Sequence, residues 1–263
     1  MYKIDSQNNQ KIKWAKKIIF DSKHSKNSNL VAIESKRIFF DLIRLGNNNF
    51  VAIFVTENIL KDERIKKILN QYAKITYIIS EKNLKSLSHL KTSEGIVAIF
   101  KPKKYNFVLK KNVNYCGIVN LQNPHNLGAI VRSCLAFDIK CLFLIGDHPN
   151  VYHFECIRSS MGYIFEMPIL CFSTFEQFYS FAKKNEIKLL ATTNTSNATN
   201  LLQYHKKYNN CFLIGYEGNG LDNKIIIKCD EIIKINIKNV DSLNAAITAS
   251  IIAFYLNSNN ENN

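Results

Sequence analysis

No apolar run in this chain approaches the roughly 18–20 residues that a bilayer-crossing helix needs. The first ten residues, Met1 to Gln10, are polar and hold no signal-peptide core. We therefore expect a soluble, intracellular, cytoplasmic protein with no membrane partner. No Cys-x-x-Cys pair occurs among the seven cysteines, Cys116, Cys134, Cys141, Cys156, Cys171, Cys211 and Cys229. They are odd in number and mostly sit in apolar segments, so we read buried, reduced thiols rather than a disulfide framework. The six histidines show no ligand spacing, and no metal site is expected. The Gly-x-Gly-x-x-Gly fingerprint is missing, together with the acidic residue that should follow about 20 positions later. The Lys and Ser/Thr of a phosphate-cradling loop are missing too. A Rossmann-type dehydrogenase and a nucleotide hydrolase are both disfavoured.

What the chain does have is unevenly placed positive charge. Its 263 residues are 46% hydrophobic and 11% aromatic, enough for one large domain or two modest ones. The net charge is +14. Residues 1–110 carry 22 Lys+Arg against 9 Asp+Glu, whereas residues 111–263 carry 13 against 12. A coding bias toward Lys would load both halves alike. A basic front that holds a polyanion and a neutral back with another task fit this division.

The front alternates helix and strand. The pattern predicts a basic amphipathic helix over Gln10–Phe20 and a Ser/Lys/Asn-rich loop over Asp21–Asn29. Helices follow at Ser35–Leu45, Ile59–Tyr72 and Glu81–Leu90, with strands at Leu30–Glu34, Phe50–Thr56, Ile75–Ser80 and Gly95–Phe100. This implies a small parallel or mixed α/β layer over residues 1–105. Lys101–Asn114 breaks the rhythm with Pro102 and five lysines, and residues 106–114 read as a linker. Alternation resumes over 115–257. Strands are expected at Tyr115–Leu121, Cys141–Ile145, Met167–Phe172, Lys188–Thr193, Cys211–Gly215 and Glu231–Ile237. Helices are expected at Leu127–Phe137, Thr174–Asn185 and Leu243–Leu256. Near-continuous apolar strands between helices indicate a parallel sheet covered on both faces. Residues 258–263 read as a disordered tail.

Three stretches at predicted strand ends carry the chemistry. In Asn123-Pro-His-Asn-Leu-Gly-Ala-Ile-Val-Arg132, Asn126 can cap a helix and Gly128 permits close approach of backbone or ligand. Arg132 lies one turn beyond Gly128, among apolar neighbours, where it would face a cleft and offer a planar fork to phosphate or ribose. An ordinary capped helix with Arg132 in a structural salt bridge fits the spacing equally well. In Gly215-Tyr-Glu-Gly-Asn-Gly220, three glycines follow an apolar strand, and Glu217 could order the loop or bind a partner cation. In Ser242-Leu-Asn244, Ser242 can cap a small-residue helix that is apolar on nearly every side. Such a helix belongs at a domain centre or a subunit interface.

Together, Asn126-x-Gly128-x-x-x-Arg132, Gly215-x-Glu217-Gly218-x-Gly220 and Ser242-Leu-Asn244 resemble, in order, the three motifs of the SpoU (TrmH-like) RNA ribose methyltransferases of the SPOUT class. Ser159-Ser-Met-Gly162 with Met167-Pro168-Ile169 resembles a segment between the first two. The likeness covers about residues 112–256, and the front resembles the basic substrate-binding domain of many members. It implies a Rossmann-like parallel sheet with a C-terminal trefoil knot, preceded by a smaller α/β substrate-binding domain. It implies an S-adenosylmethionine site contacted by Gly215, Ile235 and Leu243, with Ile214, Gly220 and Ile237 beside them. It implies a homodimer with Arg132 near the subunit interface. The sequence departs from the family pattern in three places: Asn236 stands where proline is frequent, Asp138 where glycine is usual, and Tyr216 where a smaller residue is usual.

The implied activity is S-adenosylmethionine-dependent 2′-O-methylation of structured RNA, ribosomal RNA foremost. Arg132, Asn126, Glu217, Ser242 and Asn244 form the candidate catalytic set. Because arginine holds its proton strongly, phosphate anchoring and charge stabilisation suit Arg132 better than a general-base role. A transfer-RNA methyltransferase is one alternative. A non-catalytic RNA-binding or ribosome assembly factor on the same fold is another.

Overall fold

The computed structural model describes residues 1–103, 108–205, 209–216 and 220–257. The chain forms two compact units, Met1–Lys104 and Tyr105–Asn263.

The first unit runs β1 (Tyr2–Ile4), α1 (Gln10–Phe20), α2 (Ser22–Ser28), β2 (Val31–Ile33), α3 (Lys36–Arg44), β3 (Phe50–Val55), α4 (Glu63–Asn70), β4 (Thr76–Ile79), α5 (Glu81–Lys85) and β5 (Ile96–Phe100). Its sheet is mixed, in the order β1-β4-β3-β5-β2, with β5 antiparallel to both neighbours. Ile12, Ala15 and Ile18 of α1 cover one face, against Ala52, Phe54, Val97 and Ile99. Phe39 of α3 packs beside Phe50, with ring centroids 4.8 Å apart.

Three differences from the sequence expectation have local causes. The Asp21–Asn29 loop is helical: the Asp21 side chain accepts from the His24 N–H and Asn29 closes the turn at φ 52°. The helix expected over Ile59–Tyr72 is interrupted at Asp62, which is extended and caps α4 through the Arg64 N–H. Glu81–Leu90 is helical only to Lys85; beyond it, Glu34 accepts bonds from Ser88 Oγ and His89 N, which tie the chain to the end of β2.

The second unit runs β6 (Tyr115–Val119), α6 (Pro124–Ala136), β7 (Leu142–Ile145), α7 (Phe154–Ser159), β8 (Ile169–Phe172), α8 (Phe175–Lys184), β9 (Lys188–Thr192), β10 (Thr199–Asn200), β11 (Asn210–Ile214), α9 (Asn223–Ile226), β12 (Glu231–Lys234) and α10 (Ala245–Asn257). All seven strands are parallel, in the order β10-β12-β9-β11-β6-β7-β8. Alternate residues serve the two faces. Tyr115, Phe143, Leu189, Cys211 and Leu213 pack against Phe175, Phe178 and Ala182 of α8. Leu109 and Val113, expected in a linker, also pack against this core. The expected tail, 258–263, lies outside the described residues.

All seven cysteines are free, and five are buried. Cys171 is exposed and Cys229 half-buried, so the expectation of burial fails at those two. Burial pushes the Cys156 thiol up to about 12, which keeps it protonated.

Gly128 sets the spacing between α6 and α7. A Cβ there would overlap the Cys156 carbonyl oxygen and Ser159 Oγ and sit 2.9 Å from the Ser160 nitrogen. The glycine expected to admit a backbone or a ligand therefore admits a backbone, that of the Ser159–Gly162 segment. In an open helix, Gly→Ala gains about 1 kcal/mol of helix propensity. Here Gly128→Ala is expected to cost about 1–3 kcal/mol through overpacking, and a thermal melt reads the sign directly.

Candidate functional site

β6 ends at Val119, and Asn120 turns the chain at φ 52°. Asn123, not Asn126, caps α6: its side chain accepts from the His125 N–H at 2.9 Å and the Asn126 N–H at 3.4 Å. Pro124 opens the helix, where a missing N–H costs nothing. The helix thus begins three residues before the expected Leu127. That shift frees Asn126 for other work. It is 7% exposed, and its Oδ1 accepts a hydrogen bond from Asn244 Nδ2 at 3.1 Å.

Asn244 acts twice. Its Oδ1 accepts from the Ala246 N–H at 2.8 Å and the Ile247 N–H at 3.4 Å, capping α10. Ser242, expected as that cap, is exposed and has no capping bond. The reason is again the boundary: α10 begins at Ala245, which places Asn244 at the capping position. Farther along, Ser250 Oγ donates to Ser133 Oγ at 2.7 Å, and Asn257 Nδ2 donates to the Phe137 carbonyl. The first and third motifs are therefore held side by side on α6 and α10.

The second motif leaves β11 at Ile214. Tyr216 and Gly220 form one antiparallel rung, with Tyr216 N–H to Gly220 O at 3.1 Å and Gly220 N–H to Tyr216 O at 2.9 Å. A Cβ on Gly215 would overlap the carbonyl group of Gly220 and lie 2.5 Å from Leu221 N. Only glycine closes this loop so tightly. Glu217 lies outside the described residues.

A cavity of about 310 Å³ opens at the carboxyl ends of β9, β11 and β12. Ile214, Gly215, Gly220, Ile235, Ile237 and Leu243 all line it, and so does Ser242. Thr192, Asn194 and Asp241 add polar groups to the wall. Sequence reasoning missed these three, although Thr192 lies in the predicted strand Lys188–Thr193. Asn194 Nδ2 donates to the Asp241 carbonyl at 3.2 Å and ties the loop after β9 to the approach to α10.

Asn126, Asn244 and Arg132 do not line this cavity. Arg132 is exposed, contrary to its expected place near the interior. The inner face of α6 is taken by Leu127, Gly128, Ile130, Val131 and Cys134, and Arg132 falls on the other side. Among the described residues it makes no hydrogen bond or ion pair. Packed against α6, α10 leaves an apolar stripe open to solvent. Ile247 is 52% and Phe254 56% exposed, and Phe254 meets Phe137 edge-on at 5.5 Å. The expectation of burial for α10 holds only on its inner side.

Asp138, standing where the family pattern has glycine, takes φ 57°, a left-handed turn that Asp tolerates better than most residues. Its carboxylate pairs with Lys140. The departure keeps the backbone conformation that glycine would give.

Comparison with known proteins converges on one group. The model of the SpoU rRNA Methylase family matches residues 115–254, and that of RNA 2'-O ribose methyltransferase substrate binding matches residues 37–106. The chain is 23% identical over 258 residues to the 23S rRNA (guanosine(2553)-2'-O)-methyltransferase RlmP of Bacillus subtilis, covering 97% of this chain and 99% of that protein. It is 26% identical over 207 residues to a putative TrmH family tRNA/rRNA methyltransferase of Staphylococcus epidermidis, covering 74% and 83%. Among solved structures, the AdoMet-bound rRNA methyltransferase from Sinorhizobium meliloti superposes with a TM-score of 0.85 at 19% identity, covering 97% and 96%. The SpoU methyltransferase AviRb from Streptomyces viridochromogenes, in complex with AdoMet, gives 0.82 at 18%, covering 97% and 99%. These two likenesses establish the fold.

The capping assignment is testable by stability alone. Asn244→Ala should cost about 0.5–2 kcal/mol for the lost cap, and about 0.5–1.5 kcal/mol more for the lost hydrogen bond to Asn126. Ser242→Ala should leave the denaturant midpoint unchanged. Equal losses in the two variants would reverse the assignment.

Proposed function

The chain belongs to the SpoU rRNA Methylase family, and from that premise we propose that it methylates a ribose 2′-hydroxyl of ribosomal RNA using S-adenosylmethionine. One observation carries the reading most. Six residues matched to the cofactor site by motif, drawn from three separate loops, line a single cavity at the carboxyl ends of parallel strands. Ligands of α/β sheets bind at such ends.

The cavity fits the cofactor's size and chemistry. Its volume of about 310 Å³ falls in the range of roughly 300–1,000 Å³ for small-molecule sites. Gly215, closed on Gly220, brings main chain to the wall; Ile235, Ile237 and Leu243 supply apolar surface for a base; Thr192, Asn194 and Ser242 supply polar groups. When bound, S-adenosylmethionine supplies a sulfonium methyl whose carbon–sulfur bond breaks as the 2′-oxygen takes the carbon.

The protein's part is orientation, which contributes on the order of 7–11 kcal/mol in such alignments. Arg132 binds the phosphate beside the target ribose and stabilises negative charge developing on its 2′-oxygen. Its guanidinium keeps its own proton, so the hydroxyl proton passes to water. Asn126, held by Asn244, keeps the start of α6 at a fixed distance from the cofactor loop, and Ser242 and Asn244 orient ribose and cofactor. Glu217 orders the second-motif loop. The first unit, with its excess of lysine, grips structured RNA through phosphates. RNA offers the 2′-hydroxyl that DNA lacks. A role on ribosomal RNA suits a cytoplasmic protein, and no helix among the described residues is long and apolar enough to cross a membrane. We take the chain to be organised as a basic RNA-binding domain over 1–105, a linker over 106–114 and the methyltransferase domain over 115–257. The knotted trace implied by the family is part of the same reading, and an experimental structure tracing residues 205–257 tests it.

The exposed stripe of Ile247 and Phe254 on α10, together with exposed Arg132 on α6, supports a homodimer whose interface brings that arginine to a cofactor cavity. Sedimentation should show a dimer for the native chain and a monomer for Phe254→Asp; a dimer unaffected by the change would place the interface elsewhere.

The activity is tested with labelled cofactor and purified ribosomal or transfer RNA. The expected result is transfer to ribosomal RNA, cut at least 100-fold in Arg132→Ala, with cofactor affinity held within about threefold. Transfer to transfer RNA alone would support the second substrate class, suggested by the name of the S. epidermidis relative. No calorimetric signal with S-adenosylmethionine would support a non-catalytic RNA-binding factor.

A further inference from the structure

A second cavity, of about 510 Å³, adjoins the first. The two share Tyr216, Gly220 and Leu221, so the rung that closes the second motif is the wall between them. The rest of the second cavity is built from the end of β6, with Val119 and Asn120, and from Asp222, Asn223 and Ile225 at the start of α9.

Three of its side chains have chemistry to offer. Tyr216 is 41% exposed, a large ring left open at the junction of two cavities. Asn120 is locked. Its Oδ1 accepts from the Asp147 N–H at 3.0 Å, and a Cβ on Gly146 would overlap that oxygen. With the oxygen engaged, what remains of the amide is its NH₂ donor, which has no partner among the described residues. Asp222 spends one oxygen on the Lys224 N–H at 2.8 Å, and its other oxygen remains an acceptor. A flat ring, one donor and one acceptor meet in one cavity. That set matches the edge of a nucleobase, which offers an acceptor beside a donor.

Resting on the methyl-transfer reading above, we propose that this second cavity seats the base of the target nucleotide, with Tyr216 stacked on it and Asn120 and Asp222 hydrogen-bonded to its edge. Enzymes that modify RNA gain access by unstacking a nucleotide and hold it by aromatic stacking and edge contacts. The shared wall puts the base on one side of Tyr216 and the methyl donor on the other, and the sugar between them is the group to be methylated.

The experiment combines cofactor calorimetry and steady-state transfer to ribosomal RNA, both on the full chain. Tyr216→Ala should lower kcat/KM for RNA by about five- to 100-fold, the range expected for one lost stacking contact. Because Tyr216 also lines the cofactor cavity, affinity for S-adenosylhomocysteine is measured beside it, and any loss there should be smaller than the loss in kcat/KM. Tyr216→Phe, which keeps the ring, should recover most of that loss. Asn120→Asp keeps the bond from Asp147 and replaces only the donor, and should lower kcat/KM at least about tenfold. An Asn120→Asp variant with native kcat/KM, or a Tyr216→Ala variant that loses only cofactor affinity, would overturn this proposal and leave the methyltransferase reading intact. A native chain that neither binds S-adenosylhomocysteine nor transfers methyl would overturn both.

Discussion

The amide of Asn244 is the constraint on which the site depends. Its oxygen caps α10 and its nitrogen donates to buried Asn126 near the start of α6. One short side chain therefore fixes the start of one helix and its lateral position against another. The hydrogen bond between them joins an exposed asparagine to a buried one. The serine pair at Ser133 and Ser250 repeats the link two turns on, with a bond of 2.7 Å. The two helices are held together, and Ala245, Thr248 and Ile252 of α10 form one wall of the cavity at the ends of β9, β11 and β12.

Much of this was legible beforehand. Near-continuously apolar strands such as Asn210–Ile214 and Tyr115–Val119 indicate a two-faced parallel sheet, and they lie buried in one. The second and third stretches contain residues that line the cavity, Gly215, Gly220, Ser242 and Leu243, whereas the first contributes none. The errors fell at boundaries. Capping residues were placed by residue type, and Asn123, Asn126, Ser242 and Asn244 are all good caps. Which one acts depends on where tertiary contacts let the helix start. The same limit explains Arg132. Its apolar neighbours implied an interior place, but a helix sends neighbours to opposite faces, and the inner face was already full. Short elements such as α7 and α9 went unseen because so few residues carry no period.

The turns follow from composition. With 9 glycines among 263 residues, the chain must make left-handed turns with other side chains. Asn29, Asn112, Asn120, Asn209 and Asn239 take positive φ, as does Asp138. These short polar side chains tolerate that region because they bond locally. Asn120 shows what the substitution adds. A glycine would turn the chain and do nothing else, whereas this asparagine also holds the Asp147 N–H and presents an amide to a cavity.

Two of the remaining glycines sit where asparagine cannot. Gly128 and Gly215 are each blocked by backbone, at the α6–α7 contact and at the closure of the second motif. Neither has the positive φ that asparagine could supply; both need the absence of a Cβ. Gly46, Gly95, Gly146, Gly162 and Gly220 take positive φ and serve turns. Gly128 and Gly215 therefore mark close packing. The tightness of the Gly215–Gly220 loop is then a requirement of the site it borders, since a wider loop would fill the cavity with its own backbone.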